Sequence, residues 1–162
     1  MHYFIDGYNF LFRLYEEVDP LRQKREEVLS LLHEKLKKLK LKMTIVFDSH
    51  HADNGDLPTR FDHLSLEVIY TPTNQTADAY ILEALSWKKN CSQELVITSD
   101  KRLAKHIEAL GARVQSIEDF IEFLLKKEKN VSPSKAPLQE SPEEFARLLE
   151  AFEKRFKKEQ DF

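Results

Sequence analysis

Apolar runs typical of buried β-strands alternate along this chain with amphipathic segments typical of helices. Strand-like runs occupy residues 2–5, 43–47, 94–98 and 112–115, and alternating apolar residues over 64–70 predict one more strand. Strands separated by helices imply a mainly parallel sheet with helices on both faces. We therefore expect an α/β protein with three layers, α/β/α.

The segments between these runs predict the helices. Asp19 and Pro20 are typical of a helix cap followed by a first helical position, and the apolar periodicity continues to Leu39. Further helices are predicted over 76–89, 101–110 and 117–127, with Gly111 ending the second of these three. The polar segment 49–62 is predicted to be a loop.

The C-terminal part of the chain differs in composition from the rest. We expect a domain over residues 1–128, a linker over 129–140 and an amphipathic helix over 141–162. One apolar stripe marks that helix and comprises Phe145, Leu148, Leu149, Phe152 and Phe156. The stripe must pack on its own domain, on a second copy in a homo-oligomer or on a protein partner, and the sequence leaves these alternatives open.

Composition excludes several classes of protein. Cys91 is the only cysteine among 162 residues, so an internal disulfide is excluded and a reducing, cytoplasmic location is expected. No apolar run is long enough to cross a membrane, and no membrane partner is expected. The net charge of −3 provides no global basic field, so nucleic-acid binding would need local positive charge or a metal.

Four aspartates occupy related positions. Asp6, Asp48 and Asp100 each end a predicted strand, and Asp78 lies in the first turn of a predicted helix. The carboxyl ends of parallel strands meet at one end of a sheet, together with the starts of the following helices. Clustered carboxylates repel one another and need a counter-ion, and Mg²⁺ or Mn²⁺ suits an all-oxygen site. Such an ion can bind a phosphate and activate water for phosphodiester hydrolysis.

Each of these acids also has an ordinary structural explanation. Asp100 can cap the helix that follows it, Asp78 can favour a helix dipole, and Asp6 before Gly7 can belong to a turn. The joint pattern is more specific than any one member and favours a metal site.

Four short motifs resemble those of the YacP-like branch of the NYN domains, within the PIN-like nuclease superfamily. They are Asp6-Gly7-Tyr8-Asn9, Val46-Phe47-Asp48, Thr76-Ala77-Asp78 and Thr98-Ser99-Asp100. The resemblance covers about residues 1–125, and the segment from Val131 onward has no recognised counterpart. It implies a PIN-like fold and metal-dependent endonucleolytic cleavage of single-stranded RNA. The sequence leaves open whether the substrate includes mRNA presented by a ribosome.

The resemblance also implies roles for particular residues. Asp6, Asp78 and Asp100 would be metal ligands, and Asp48 a nearby catalytic acid. Residues expected to position or contact RNA are Asn9, Arg25, Thr76, Thr98 and Ser99. One departure is Gln75, where the family commonly has glutamate, and Glu83 is a candidate to replace that carboxylate in part.

Other residues are assigned from their own positions. Lys101 and Arg102 follow Asp100 directly and are candidates for phosphate contacts. His50 follows Asp48 closely and is a candidate proton donor. His50, His51 and His63 lack the spacing of a zinc site, so ordinary solvated histidines are the favoured interpretation. Tyr8 and Phe10 could stack on a base, although core packing is the commoner fate of aromatic residues.

Two further functional classes compete with the nuclease. One is a catalytically weak RNA-binding or ribosome-binding module with the same fold, which Gln75 and the acidic net charge favour. The other is a phosphoacceptor receiver with Asp48 as acceptor. That fold needs an acidic pair after the first strand and a lysine ending the last, and both are missing here.

Overall fold

The computed structural model describes residues 1–15, 20–48, 59–63 and 65–130, together with residues 147, 150 and 154. Asp19, His50, His51 and most of the predicted C-terminal linker and helix lie outside the described residues. None of the helices in the described part of the chain is both long enough and apolar enough to cross a membrane.

Six strands and five helices follow one another in the described part of the chain. In order they are β1 (His2–Asp6), α1 (Gly7–Leu14), α2 (Leu21–Leu39), β2 (Lys42–Phe47), β3 (Thr59–His63), β4 (Leu66–Tyr70), α3 (Ala77–Ser86), β5 (Glu94–Ile97), α4 (Lys101–Ala109), β6 (Arg113–Gln115) and α5 (Ile117–Asn130). Strands and helices alternate over most of this length, which confirms the predicted α/β class.

The strands form one sheet in the order β3-β4-β2-β1-β5-β6. The five strands from β4 to β6 are parallel, and β3 pairs antiparallel with β4 at one edge. In the centre of the sheet, Ile5 lies between Ile45 and Ile97. The central strands are therefore aligned, and their carboxyl ends open at the same end of the sheet.

Helices cover both faces of the sheet. Tyr3 and Ile5 of β1 belong to a core that includes buried residues of α1, α2 and α5. Phe4, between them, belongs to a second core built from α3 and α4. This alternation along β1 is the two-residue period of a strand buried on both sides. The three-layer α/β/α prediction is confirmed.

Two elements correct the sequence interpretation. Residues 7–14 form helix α1, although the prediction ended the first strand in a turn and started no helix before Asp19. All but the last residue of strand β3 lie in the segment 49–62 that was predicted to be a loop. As an antiparallel edge strand it forms its ladder with β4 through the backbone, so a polar sequence is sufficient.

Several predicted boundaries also shift by a few residues. Helix α2 begins at Leu21 with Pro20 at the capping position, where the sequence predicted a start at Pro20. Helix α5 continues to Asn130, two residues into the predicted linker. Gly111 does end α4, and its φ of +88° is the left-handed conformation expected of glycine there.

A hydrogen-bonded network ties the beginnings of three strands together. His2 contacts Glu94 Oε2 through Nδ1 and Thr44 Oγ1 through Nε2, both at 2.8 Å. Lys88 Nζ donates to Glu94 Oε1 at 2.7 Å. Burial alone would raise the pKa of Glu94, but the bonds from Lys88 and His2 hold it below its ordinary value. The carboxylate of this network is therefore fully compensated.

Candidate functional site at the carboxyl end of the sheet

Asp6 ends β1 and caps α1 at the carboxyl end of the sheet. Its Oδ1 accepts from the backbone N–H of Asn9, and its Oδ2 accepts from the Asn9 side-chain amide, both at 3.2 Å. Burial raises the pKa of Asp6 to about 6, and the charges of Asp78 and Asp48 add to the rise against opposing backbone hydrogen bonds. Asp6 is therefore a half-buried acid within electrostatic reach of two others.

Gly7 explains how Asp6 and Asp48 come to the same place. A Cβ atom on Gly7 would lie 2.4 Å from Cε1 of Phe47, closer than any side chain can approach. The missing side chain lets the first turn of α1 pack directly on the last residue of β2. Asp48 follows Phe47, so this close contact aligns the two strand ends that carry the acids.

Asp78 lies in the first turn of α3, as the sequence predicted. Thr76 caps this helix by accepting from the backbone N–H of Ala79 at 3.1 Å. Asp78 Oδ1 is buried and has no hydrogen-bond partner among the described residues. Burial raises the pKa of Asp78, and the charges of Asp100 and Asp48 raise it further.

Asp100 caps α4 and is held by its own turn. Its Oδ1 accepts from the backbone N–H groups of Arg102 at 2.9 Å and Leu103 at 3.3 Å. The backbone N–H of Asp100 donates to Thr98 Oγ1 at 3.1 Å. Thr98 thus stabilises the turn that contains Asp100. Lys101 and Arg102 are the first two residues of α4, and their side chains are exposed.

Glu118 is a further acid at this end that sequence reasoning missed. Ser99 Oγ donates to Glu118 Oε2 at 3.2 Å, and Glu118 also forms an ion pair with Arg13. These bonds join the start of α5 to the Asp100 turn and to the end of α1. The only sequence signal was an acid in the first turn of a predicted helix, which helix dipoles commonly favour.

Arg25 has a packing role that the sequence interpretation did not foresee. Its Nη1 donates to the hydroxyl of Tyr8 at 3.1 Å, and its guanidinium lies over Tyr70, 5.2 Å from the ring centroid. Its side chain is only 12% exposed. The described contacts therefore place Arg25 within an aromatic cluster.

Of the two alternatives for Tyr8 and Phe10, the structure confirms core packing and not stacking on a base. Tyr8 is buried, with its ring 4.9 Å from that of Phe47, and Phe10 is buried against Phe120. Both belong to the core beneath α1. The helix that the sequence interpretation missed is the reason, because it turns these side chains towards the sheet.

The departure at Gln75 has a local counterpart. Gln75 Nε2 donates to Glu83 Oε2 at 2.7 Å, so the Glu83 carboxylate reaches back from the middle of α3 to the segment that precedes Thr76. The contact brings Glu83 next to Gln75, and its partial replacement of the missing carboxylate stays a prediction. The hydrogen bond occupies one of its two oxygens.

A divalent cation needs several oxygen ligands close together, and the acids at this end of the sheet are the candidates. Among the residues described, no three His, Cys, Asp or Glu side chains lie close enough together to form a complete ligand group. The predicted triad of Asp6, Asp78 and Asp100 is thus not assembled as a closed cage. Mg²⁺ commonly uses one or two carboxylates and completes its shell with water and substrate phosphate. Mutual repulsion and the unpartnered Asp78 oxygen fit that open kind of site.

His50, His51 and Cys91 contribute nothing to the described geometry of the site. His50 and His51 are not among the described residues. The proton-donor role of His50 and the zinc alternative therefore stay predictions. Cys91 is buried and free, and its Sγ donates to the backbone carbonyl of Leu85 at 3.4 Å. It lies in the core of the α3–α4 face, away from the acids.

Comparison with known proteins finds a matching family model and similar solved structures. The family model of the YacP-like NYN domain matches residues 3–161. The match extends through the C-terminal segment, which corrects the expectation that residues from Val131 onward have no counterpart. None of the curated protein sequences compared with this chain matches it.

Two solved structures of Rae1 (YacP) from Bacillus subtilis resemble the chain. The first has a TM-score of 0.63 and 22% identity, and the alignment covers 81% of this chain and 77% of that one. The second, a tryptophan-to-leucine mutant, has a TM-score of 0.60 and 19% identity, with 92% of both chains covered. At this identity the similarity shows a shared fold.

Proposed function

This chain belongs to the YacP-like NYN domain family, and from that premise we propose that it is a metal-dependent endoribonuclease that cleaves single-stranded RNA. The family and its structural neighbours indicate a nuclease-like fold that acts on RNA. The choice of single-stranded RNA and the need for a metal are our extension of that premise.

One observation carries the proposal: Asp78 Oδ1 is buried among like charges and has no described hydrogen-bond partner. A protein gains no stability from such an oxygen, because burial of an unpaired carboxylate is unfavourable. A divalent cation would compensate Asp78 together with Asp6 and Asp100. When bound, it would supply Lewis-acid stabilisation of the phosphate and activation of water.

The protein's own residues have separate tasks in this proposal. Asp6, Asp78 and Asp100 would hold the cation, with water and substrate phosphate completing its shell, and Asp48 would add negative charge beside them. The raised pKa of Asp6 belongs to the metal-free protein, because a bound cation would favour the ionised carboxylate.

Polar and basic groups around the acids would bind and orient the RNA. Asn9 keeps the Asp6 carboxylate oriented through its side-chain amide, and Thr76 and Ser99 support the neighbouring turns. Lys101 and Arg102 would contact phosphates, since their side chains are exposed beside Asp100. We also propose a cytoplasmic location and mRNA, including mRNA on a ribosome, as a source of substrate.

The direct test is cleavage of end-labelled single-stranded RNA by the full chain with Mn²⁺, Mg²⁺ or EDTA. Asp100→Asn is the informative variant, because asparagine caps a helix as well as aspartate does and so retains the α4 cap. We expect cutting that requires metal and is lost in the variant. Cutting that continues in EDTA or in the variant would contradict the proposal.

A second candidate is an RNA-binding module of the same fold without efficient catalysis. It is favoured by the amide of Gln75 in place of a carboxylate, and by the use of Glu83 Oε2 as its hydrogen-bond acceptor. A Gln75→Glu variant separates the two. A large gain in cleavage from an inactive starting protein would support the binding module, and similar metal-dependent cleavage above background in both proteins would support the nuclease.

A further inference from the structure

The amino end of the sheet, opposite the acids, is rich in exposed positive charge. Helix α2 ends here, β2 and β6 begin here, and the segment between α3 and β5 passes here. The exposed basic residues that these elements bring together are Lys37, Lys38, Lys40, Lys42, Lys88, Lys89 and Arg113. Acids of this end include Glu94, which is already paired with Lys88, Glu67 near the start of β4 and Glu108 in the last turn of α4.

Trp87 lies on this basic surface and is 81% exposed. It follows the end of α3 and directly precedes Lys88 and Lys89. An indole exposed to this extent contributes little to a core, so packing does not explain it. Exposed Met1 and Leu110 lie at the same end, at the start of β1 and the end of α4.

The surface is held on a rigid base. Lys42 is in register with His2 on β1, and His2 is in register with Glu94 on β5. Lys88 Nζ is fixed 2.7 Å from Glu94 Oε1, so the segment that carries Trp87 is tied to the sheet. The lysines and the Trp87 indole are therefore carried by backbone that is held to the sheet.

We propose that the amino end of the sheet is a second RNA-binding surface, on which single-stranded RNA lies with its phosphates on Lys42 and Lys89 and a base stacked on Trp87. A flat aromatic ring beside lysines is the combination that binds single strands with little sequence preference. The surface requires no metal and no catalysis, so it goes beyond the proposed nuclease function. It would also supply the local positive charge that a chain of net charge −3 needs to hold RNA.

The chain provides its own reporter, because Trp87 is its only tryptophan. The full chain is titrated with unstructured oligouridine, longer than the ~16 nucleotides that a single-strand site covers, while tryptophan fluorescence is recorded in EDTA. EDTA removes metal-dependent cutting, so this result is separate from success or failure of the nuclease proposal. We expect saturable quenching that weakens as salt is raised.

Variants then assign the quenching to this surface. Lys89→Glu should weaken binding by about tenfold and lower the slope of log affinity against log salt by about 1. Lys105→Glu, the same charge change on the exposed middle of α4, should leave both unchanged. With labelled oligouridine, Trp87→Ala should weaken binding by about tenfold while Trp87→Phe retains most of it.

Two outcomes would overturn the proposal. The first is oligouridine binding, measured by anisotropy, that leaves Trp87 fluorescence unchanged and has the same affinity in Lys89→Glu and Lys105→Glu. The other is that polyglutamate quenches Trp87 as strongly as oligouridine does. The surface would then bind an acidic protein segment instead of RNA.

Discussion

The carboxylates at the two ends of the sheet lie in opposite electrostatic environments. At the amino end, Glu94 is bonded to Lys88 and His2, and its pKa is held below the ordinary value. At the carboxyl end, burial and neighbouring acids raise the pKa values of Asp6 and Asp78.

The difference separates structure from function. Glu94 has the partners that a buried acid needs, so its role is fully explained by the stability of the fold. Asp78 Oδ1 has no hydrogen-bond partner among the described residues. The charges of Asp100 and Asp48 disfavour its ionised form further. The sheet pairs a carboxylate completely at its amino end and leaves others uncompensated at its carboxyl end. We infer that the carboxyl end binds a positively charged ligand.

The largest expected effect comes from Asp78→Asn, which neutralises the central uncompensated acid. Cleavage of single-stranded RNA should fall by more than about a hundredfold, because a cation ligand is lost. The free energy of unfolding in EDTA should rise by about 1 kcal/mol, since like-charge repulsion is relieved. Rate measurements and urea denaturation check the two results. The exposed Glu108→Gln serves as control, and equal activity in both variants would contradict the account.

Glu94→Gln tests the compensated end. The substitution removes the charge that pairs with Lys88 and His2 and should lower the free energy of unfolding by about 2–3 kcal/mol. The cleavage rate of the folded protein should be unchanged, because Glu94 lies at the other end of the sheet. Urea denaturation measures the first effect and initial rates at low temperature the second. A selective loss of activity without loss of stability would break the comparison.

Gly7 and Gly111 contrast packing at one end of the sheet with backbone conformation at the other. Gly7→Ala should destabilise the fold by about 1–3 kcal/mol and slow cleavage, because the new methyl group meets the Phe47 ring beside Asp6. Gly111→Ala meets no atom within 4 Å, and its φ of +88° alone should destabilise by about 1 kcal/mol with no effect on cleavage. Equal activities in the two variants would show that the Gly7 contact does not position the acids.

The pH dependence of stability in EDTA should have opposite signs for the two ends. The pKa of Asp6 is about 6 in the folded protein against an ordinary 3.8, so the folded state takes up the proton first as pH falls. Stability should therefore rise by about 1 kcal/mol between about pH 7 and pH 5.

Glu94 should act in the reverse direction. Its folded pKa lies below the ordinary 4.5, so the stability that it contributes is lost as pH falls through that folded value. Urea denaturation from about pH 7 to about pH 3 should show a smaller rise in Asp6→Asn, where the raised pKa of Asp78 still contributes, and no acid-side loss in Glu94→Gln. A rise of unchanged size in Asp6→Asn would assign it to groups other than Asp6.

The sequence was sufficient to predict the parallel core and the acids at its carboxyl end. Apolar runs such as Met43–Phe47 stop directly before an acid, and parallel pairing then determines where that acid lies. Helix α1 was missed because Asp6-Gly7 is typical of a turn. The spacing of Phe10, Leu11 and Leu14 was the helical signal that could have found it.

Contacts between distant residues were beyond prediction. His2 bonds to Thr44 and Glu94, which are 42 and 92 positions away, and nothing in an apolar strand sequence marks Thr44 as a partner. Packing of Arg25 on Tyr8 and Tyr70 depends in the same way on how α1, α2 and β4 meet. Only tertiary geometry supplies these pairings.

The central claim is that the acids at the carboxyl end hold a divalent cation while the acid at the amino end does not. Calorimetric titration of the full chain with Mn²⁺ tests it most directly, using the unaltered protein, Asp78→Asn and Glu94→Gln. The account predicts saturable binding that Glu94→Gln retains and Asp78→Asn weakens by at least about tenfold. Equal Mn²⁺ affinity in the unaltered protein and Asp78→Asn would contradict it.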